Sequence, residues 1–278
     1  MGIAPFRQIA SVAFVAGACF AGFSYSQESP PRVTPLKQAH AHNDYQHKRP
    51  LLDALARGFC SVEADVHLVK GALLVGHFPW DLRPERTLEH LYLGPLRERI
   101  KANGGRVYKD GPRIWLLVDI KTEAKSTYQA LDQLLSRYDD ILSVVKDGQF
   151  EQKAVTVVVS GNRAKAEVAA QKLRFAGIDG RISDIESSVQ AHLMPWISDR
   201  WSGLFRWRGD GPMPPEERVK LKGLVEQAHK HGRLVRFWDT PEKTLVWQEL
   251  RAAGVDLINT DQLENLQRFL TGVSPKEK

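Results

Sequence analysis

The sequence predicts a single-domain α/β fold, a (β/α)8 TIM barrel, and three observations lead to it. Strand-like and helix-like segments alternate through about eight units in ~250 residues, which is the size of such a barrel. Polar residues follow the apolar runs at their carboxyl ends, where barrels of this kind build active sites. No Gly-rich phosphate loop follows the first strand, so a doubly wound open sheet is the less favoured alternative.

Short runs rich in Val, Ile, Leu or Phe, each followed by polar residues, predict the strands. We expect them to end near His42, Asp65, Asp119, Ser160, Ser183, Arg206, Trp238 and Thr260. Apolar residues spaced three and four apart predict the intervening helices. These helices are expected over residues 87–102, 126–138, 163–175, 215–231 and 242–253.

Residues 187–217 depart from this alternation, because tryptophans, prolines and glycines make the stretch too irregular for a plain helix. Two interpretations are open for Trp196, Trp201 and Trp207. They fill gaps beneath an ordinary long loop, or they form an aromatic wall over a substrate pocket.

The amino terminus resembles an export signal. Arg7 precedes an almost uncharged apolar run over residues 9–23, and Ser24-Tyr25-Ser26 provides the small residues that a signal peptidase prefers. The run is short for a membrane span and polar residues follow it directly. We therefore predict a cleaved signal peptide over residues 1–26 and a secreted or periplasmic protein.

Lipid attachment at Cys19 is the less favoured alternative, since the sequence after this cysteine stays apolar. The remaining chain divides into an exposed leader (27–37), a barrel domain (38–273) and a C-terminal tail (274–278). Cleavage would leave Cys60 as the only cysteine, so we expect no disulfide within the chain.

The chain is basic, with a formal net charge of +6. Its Lys and Arg residues are interspersed with acidic residues along the helical stretches, which indicates a solvated surface rather than a nucleic-acid interface. An acidic substrate, including one that bears phosphate, fits the same charge balance. We expect a monomer that binds no nucleic acid.

Four short motifs place ionisable side chains at predicted strand ends. They are His40-Ala41-His42-Asn43, Glu63-Ala64-Asp65, Gly76-His77 and Asp119-Ile120-Lys121. Alternate residues of a strand share a face, so Glu63 projects with Asp65, and Asp119 with Lys121. Converging carboxylates are costly to desolvate, and a divalent cation is the usual remedy. The pattern predicts a metal site flanked by two histidines.

Taken together, the motifs resemble the phosphatidylinositol-phospholipase-C-like phosphodiesterase superfamily. The segments AHAHNDY, SVEADVHL, VGH, LLVDIK, RFWDTPE and GVDLINTDQL carry the resemblance, which spans residues 38 to about 270. They are most similar to the glycerophosphodiester-phosphodiesterase-like branch that opens with HAHNDY. This branch includes the fungal altered-inheritance-of-mitochondria proteins.

The resemblance implies roles for individual residues. His42 and His77 would form the acid/base pair, and a Mg2+ or Ca2+ ion would be held by Glu63, Asp65 and Asp119. Hard oxygen ligands favour these ions over zinc. In such enzymes a substrate hydroxyl commonly attacks the phosphate and gives a cyclic phosphodiester. The implied substrate-binding residues are Lys121, which would meet a phosphate oxygen, Asn43 and Trp238.

Two positions differ from the pattern of well-studied glycerophosphodiesterases. Asn43 stands where an Arg usually follows the first catalytic histidine, and Phe78 stands where an Asp usually follows the second. The Asp119-x-Lys121 arrangement is more similar to the spider-toxin phospholipase D branch, which acts on choline lipids. We expect a small-molecule or lipid phosphodiester as substrate, with peripheral membrane contact left open.

Neighbouring residues have more modest expected roles. His40 is predicted to support His42, and Arg236 is a weaker candidate for the pocket than Trp238. Asp44 and Tyr45 are expected either to cap the following turn or to contact the substrate, and Asp261 is expected to cap the final helix.

Two alternatives come from other functional classes. His40-x-His42 also opens zinc amidohydrolases, but these need further histidines at later strand ends, where this chain has Asp119, Ser160, Ser183 and Trp238. The second is a non-catalytic protein that binds a sugar or lipid head group on the same scaffold. The complete set of charged residues disfavours it, because unused charges in a site cost stability.

Overall fold

Within residues 33–273, eight parallel strands close into a barrel. The computed structural model describes residues 1–2 and 33–273, and the described residues from Val33 onward belong to one compact unit. The strands are β1 (Leu36–Ala41), β2 (Phe59–Val69), β3 (Ile114–Ile120), β4 (Val155–Gly161), β5 (Ala176–Gly180), β6 (Trp196–Arg200), β7 (Leu234–Trp238) and β8 (Leu257–Thr260). Each pairs with its neighbour in the chain, and β1 pairs with both β2 and β8. The predicted (β/α)8 barrel is confirmed.

The described part of the chain holds eight α-helices: α1 (Leu52–Ala56), α2 (Gly94–Ala102), α3 (Ala124–Ser136), α4 (Lys165–Ala170), α5 (Trp201–Leu204), α6 (Pro215–Lys230), α7 (Thr244–Ala252) and α8 (Leu263–Thr271). A π-helical turn, Glu89–Leu93, leads into α2, and short 3-10 turns occupy Asp44–Gln46, Pro79–Asp81 and Ile182–Asp184. Among these helices none is long and apolar enough to cross a bilayer.

Four short strands lie outside the barrel. Ala72–Val75 pairs antiparallel with the carboxyl end of β2 and ends two residues before His77. Val144–Lys146, Gln149–Glu151 and Leu173–Arg174 form a small separate sheet.

The side chains of each strand alternate between the apolar core outside the barrel and the barrel interior. On β2, Val62, Ala64 and Val66 are buried in the large apolar core outside the barrel, whereas Glu63 and Asp65 occupy the alternate positions. A smaller apolar cluster comprises Trp115, Leu117, Val158, Trp196 and Leu257. Three of its members come from the first two residues of their strands. The interior is therefore apolar at the amino end of the strands and polar at the carboxyl end.

The predicted sixth strand was misplaced. It was expected to end near Arg206, but β6 ends at Arg200 and lies inside the stretch read as an irregular loop. Trp196 and Trp201 are fully buried and Trp207 nearly so, which confirms that they fill gaps and shows that the aromatic-wall interpretation is wrong. A five-residue strand that contains a tryptophan, a serine, an aspartate and an arginine lacks the apolar run that marks its neighbours.

Three predicted boundaries also need correction. β5 ends at Gly180, and Ser183 belongs to a 3-10 turn. The helix expected over 163–175 stops at Ala170, because Leu173–Arg174 pairs with another strand. The leader expected over 27–37 overlaps β1, since Leu36 is buried and its N–H donates to Gly58 O at 2.6 Å. Residues 3–26 of the predicted signal peptide and the predicted C-terminal tail lie outside the described residues.

Candidate active site

A cavity of about 520 Å3 lies at the carboxyl ends of the barrel strands. All eight residues that the sequence predicts for the site line it: His42, Asn43, Glu63, Asp65, His77, Asp119, Lys121 and Trp238. They come from four barrel strands or the residues that directly follow them, together with His77 just after Ala72–Val75. The convergence expected from strand alternation is present in the folded chain.

The three predicted metal ligands form one cluster. Glu63, Asp65 and Asp119 each offer a carboxylate oxygen within 4.8 Å of the others, and the β2–β3 register places Asp65 directly opposite Asp119. Asp65 Oδ1 is buried without a hydrogen-bond partner in the described part of the chain. Buried carboxylate oxygens at this spacing suit a hard divalent cation, so the residues fit Mg2+ or Ca2+.

The charge of Asp119 depends on what occupies the cluster. Burial, followed by the negative charge of Glu63, raises the pKa of Asp119 to about 6, although Lys121 opposes the shift. A bound cation would favour the ionised carboxylate.

Gly161 leaves the space that Asp119 occupies. Its φ of +66° lies in the left-handed region, and an added Cβ would be 2.2 Å from Asp119 Oδ1 and 2.5 Å from Ile120 O. A side chain here would be strained and would also displace the carboxylate.

The two candidate catalytic histidines are held in the same way. His42 Nδ1 lies 2.8 Å from Asp261 Oδ1, and His77 Nδ1 lies 2.7 Å from Asp65 Oδ2. Neither Nε2 atom has a hydrogen-bond partner among the described residues. Each imidazole is therefore oriented through one nitrogen and can exchange a proton through the other.

Neighbouring charges favour the imidazolium form of His42. Burial lowers the pKa of this imidazole, but the charge of Glu63 and the hydrogen bond to Asp261 outweigh burial and raise it overall. His42 therefore retains a proton to a higher pH than an ordinary histidine.

Lys121 lies between two acids of the cluster. Its Nζ is 3.0 Å from Asp65 Oδ2 and 3.1 Å from Asp119 Oδ1. Burial lowers the pKa of Lys121, yet these two carboxylates raise it overall. The ammonium stays charged and lines the cavity, as the phosphate-binding role requires.

Glu63 has a cationic partner, Arg236, that the sequence did not assign to it. Arg236 is almost fully buried, and its Nη2 lies 2.5 Å from Glu63 Oε2 while its Nε donates to Asn259 Oδ1 at 2.9 Å. Burial alone would raise the pKa of Glu63, but the guanidinium holds it well below its usual range. Arg236 thus keeps Glu63 ionised at any pH of interest.

His40 supports the site through Glu63, not through His42 as predicted. Its Nε2 lies 3.1 Å from Glu63 Oε2 and its Nδ1 lies 2.6 Å from Ser61 Oγ. Burial and the nearby Arg236 charge lower the pKa of His40 to about 4, so it is neutral near pH 7. A neutral imidazole here orients the carboxylate without adding charge.

Two residues with modest predicted roles contact the site directly. Tyr45 OH lies 2.8 Å from Asp65 Oδ2 and 2.6 Å from Asn43 Oδ1. Asp261 was expected to cap α8, but its carboxylate contacts His42 and the capping position is Gln262. Asp261 directly follows β8, so the strand-end rule that identified the other acids also applied to it.

A further cation, Arg181, also lines the cavity. Its Nη1 donates to Asp179 Oδ2 at 2.8 Å, and the buried Asp179 also accepts from Ser160 Oγ (2.8 Å) and Ser198 Oγ (2.5 Å). The sequence analysis gave Arg181 no role, although Asp179-Gly180-Arg181 has the same spacing as Asp119-Ile120-Lys121.

The barrel and its site place the chain in the class of phosphodiesterase-type TIM barrels. The model of the AIM6-like phosphodiesterase domain matches residues 30–176, more than half of the chain, and the chain belongs to that family. The model of the glycerophosphoryl diester phosphodiesterase family matches residues 235–264, which include Trp238 and Asp261. The resemblance drawn from the motifs is confirmed.

Curated relatives of the chain come from fungi. Altered inheritance of mitochondria protein 6 of Eremothecium gossypii is 29% identical over 275 residues, which cover 85% of this chain and 70% of the relative. The homolog from Arthroderma benhamiae is 25% identical and covers 87% of this chain and 86% of its own. The Saccharomyces cerevisiae S288c protein is 29% identical, with 83% and 70% covered.

Solved structures share the fold at low sequence identity. A glycerophosphodiester phosphodiesterase from Parabacteroides distasonis aligns with a TM-score of 0.52 at 16% identity and covers 86% of this chain and 98% of that one. A phosphodiesterase from Oleispira antarctica, solved with the product sn-glycerol-3-phosphate, gives 0.51 at 14% identity, with 85% and 97% covered. Fold and family together assign the chain to the phosphodiester hydrolases at a coarse level.

Proposed function

We propose that the chain is an exported, divalent-metal-dependent phosphodiesterase that uses His42 and His77 as its acid/base pair. One observation carries this proposal. Two imidazoles, each oriented by a carboxylate at Nδ1 and unpartnered at Nε2 within the described structure, line one cavity with three clustered carboxylates.

The reaction needs one proton acceptor and one proton donor. An attacking hydroxyl, either from the substrate or from water, forms a new O–P bond and gives its proton to Nε2 of one histidine. The P–O bond to the leaving alcohol breaks, and Nε2 of the other histidine protonates the departing oxygen. Attack by a neighbouring substrate hydroxyl yields a cyclic phosphodiester, which water opens by the same two steps in reverse.

The remaining residues hold charge and position. Asp261 stabilises the imidazolium form of His42, Asp65 orients the ring of His77, and Lys121 meets a non-bridging phosphate oxygen. Glu63, Asp65 and Asp119 would hold Mg2+ or Ca2+. When bound, such an ion supplies Lewis-acid stabilisation of the phosphate oxygens. Asn43 and Trp238 line the cavity beside these groups and complete the proposed substrate contacts.

The export proposal rests on the sequence of residues 1–26 alone. We propose a phosphodiester of a small polyol or a lipid as the substrate. Lys121 and Arg181 line the cavity and suit its anionic phosphate. The protein is proposed to act as a monomer without nucleic acid.

The test is hydrolysis of a phosphodiester panel that runs from a nitrophenyl diester through glycerophosphocholine and glycerophosphoinositol to lysophospholipids. Each reaction is run with Mg2+, with Ca2+ and with chelator. We expect turnover that chelator abolishes, and a loss of at least about 100-fold in kcat/KM for His42→Ala and His77→Ala, in line with the usual contribution of acid/base groups. His90→Ala changes an exposed histidine outside the site and serves as the matched control.

Asp119→Asn is the better probe of the metal cluster than a Glu63 substitution. Removal of Glu63 would leave the buried Arg236 charge unpaired, and loss of one partner of such a pair typically costs about 3–5 kcal/mol of stability. Turnover that survives chelator and both histidine variants would refute the proposal. Metal binding without turnover on any diester would favour the non-catalytic binding protein.

A further inference from the structure

Two aromatic side chains project from the rim of the candidate active site. Phe78 is 45% exposed and Trp80 is 68% exposed. Their rings stack with centroids 4.6 Å apart and an interplanar angle of 14°. On its other side Phe78 meets the ring of His77 edge-on, at a centroid distance of 4.4 Å. The stacked pair therefore continues outward from a histidine that lines the cavity.

The turn that carries the pair is braced by hydrogen bonds. Phe78 N donates to Asp81 Oδ2 at 3.0 Å, and Asp81 N donates back to Phe78 O at 2.9 Å. Arg83 Nη1 donates to Trp80 O at 3.0 Å and to Leu82 O at 2.8 Å. The backbone from Phe78 to Leu82 is thus held in one conformation that presents both rings to solvent.

The exposure of Trp80 is unusual within this protein. Five of the other six tryptophans are buried, namely Trp115, Trp196, Trp201, Trp207 and Trp247, and Trp238 lines the cavity. Exposed aromatic surface is unfavourable in water, at about 25 cal/mol per Å2 of apolar area, and adjacent exposed apolar groups commonly mark a binding surface.

We propose that Phe78 and Trp80 bind the hydrocarbon part of the substrate while its phosphate lies in the cavity. This rests on the proposed function and narrows the substrate class to phosphodiesters with an apolar chain, such as phospholipids or lysophospholipids. The contact of Phe78 with His77 places the apolar surface beside a reacting group. An aromatic pair suits a hydrocarbon chain, and an indole tolerates the boundary between lipid and water.

The first test measures binding, so it does not depend on turnover. Dissociation constants are determined by calorimetry for alkylphosphocholines of increasing chain length, below their micellar concentrations, with Ca2+ present and in the His42→Ala background so that these diesters are not turned over. We expect affinity to rise about two- to fourfold for each methylene that contacts the pair. In Phe78→Ser/Trp80→Ser this dependence should flatten, and the octyl compound should bind at least tenfold more weakly, whereas glycerophosphocholine should bind as before.

Phe150→Ser is the matched control. Phe150 is also an exposed aromatic residue, 39% accessible, but its strand Gln149–Glu151 precedes the amino end of β4, away from the site. Thermal unfolding of each variant checks that the barrel is intact. A chain-length dependence that falls equally in the control would overturn the proposal.

A second arm identifies the source of the hydrocarbon. Co-sedimentation with phosphatidylcholine vesicles that is lost in the double variant, without a change in monomer binding, would assign the contact to a bilayer surface. A changed monomer dependence would assign it to the chain of a single substrate molecule. Only the changed monomer dependence supports the proposal, and a bilayer effect alone or unchanged behaviour in both arms refutes it.

The two proposals fail in different ways. An intact chain-length dependence with no hydrolysis of any diester would refute the phosphodiesterase activity and leave the aromatic surface standing. Turnover of apolar diesters that is unaffected in Phe78→Ser/Trp80→Ser, together with unchanged binding, would refute the surface alone.

Discussion

At the scale of single residues, charge distribution decides what each polar group of the cavity can do. Glu63 pairs with Arg236, and Asp261 pairs with His42. Asp65 contacts both Lys121 and His77. The motifs identified most of these groups but could not pair them, because the partners lie tens to hundreds of residues away in sequence. Asp261 is the clearest case, since it was read as a helix cap and instead contacts a candidate catalytic histidine.

Asp261→Asn should alter the pH dependence of the reaction. The carboxylate raises the pKa of His42, so its replacement by a neutral amide should lower that pKa. The limb of the kcat/KM–pH profile that reports His42 should then move to lower pH, and kcat should fall about tenfold as the imidazolium loses its partner. The pH profile of diester hydrolysis measures both effects.

Asp256→Asn provides a matched histidine–carboxylate pair outside the cavity, since Asp256 Oδ2 lies 2.8 Å from His229 Nε2. This variant should leave the limbs of the profile in place. Equal shifts in both variants, or no shift in Asp261→Asn, would contradict the assigned role.

At the scale of secondary-structure elements, the alternation of β2 and β3 builds the carboxylate cluster. The parallel register pairs Glu63 with Leu117 and Asp65 with Asp119. β4 then supplies Gly161 opposite Ile120, and the absence of a side chain makes room for Asp119. Strands with long apolar runs were predicted well, whereas the short β6 was missed because packing against both neighbours, rather than composition, makes it a strand.

Gly161→Ala should impair activity more than stability. The left-handed backbone strains any side chain by about 1 kcal/mol, and here the added Cβ also overlaps Asp119 Oδ1. We expect at least a tenfold loss of kcat/KM and weaker metal binding. Kinetics and calorimetric titration with the metal measure the two effects.

Gly148→Ala separates backbone strain from the steric overlap. Gly148 has a φ of +80°, but an added Cβ would meet nothing within 4 Å. Urea unfolding should show similar destabilisation by strain in both variants, with activity retained only in Gly148→Ala. Full activity in Gly161→Ala would argue against the placement of Asp119 as a ligand.

At the scale of the whole molecule, the site exists only when the barrel is closed. β1 and β8 pair from opposite ends of the domain, with Ala41 opposite Thr260. His42 and Asp261 follow these two residues, so closure brings them together. The metal cluster likewise joins separate segments. Cation binding is therefore expected to stabilise the folded barrel as a unit.

Mg2+ or Ca2+ should raise the midpoint of thermal unfolding in one cooperative transition. A ligand at 100 times its dissociation constant stabilises the folded state by about 2.7 kcal/mol. Chelator should reverse the rise, and Asp119→Asn should abolish most of it. Asp210→Asn changes an exposed acid that pairs with Lys243 and should keep the full shift. An equal shift in Asp119→Asn would place the ion elsewhere.

The fold class and the convergence of the charged strand-end residues follow from local patterns in the sequence, whereas the roles of the eight site residues are what the family resemblance implies. Strand alternation has a period of two, so the side chains that share a face are determined by spacing alone. The carboxyl ends of parallel strands meet at one end of a barrel, so residues at those ends converge whatever the loops do.

Tertiary structure alone decided which partner each charge meets and which aromatics are exposed. Arg236 pairs with Glu63 and Asp261 with His42 because barrel closure brings distant strands together. Trp196 and Trp201 are buried while Phe78 and Trp80 are exposed, although all four are equally apolar in sequence. Burial and charge pairing depend on contacts between segments far apart in the chain, and local spacing carries no information about such contacts.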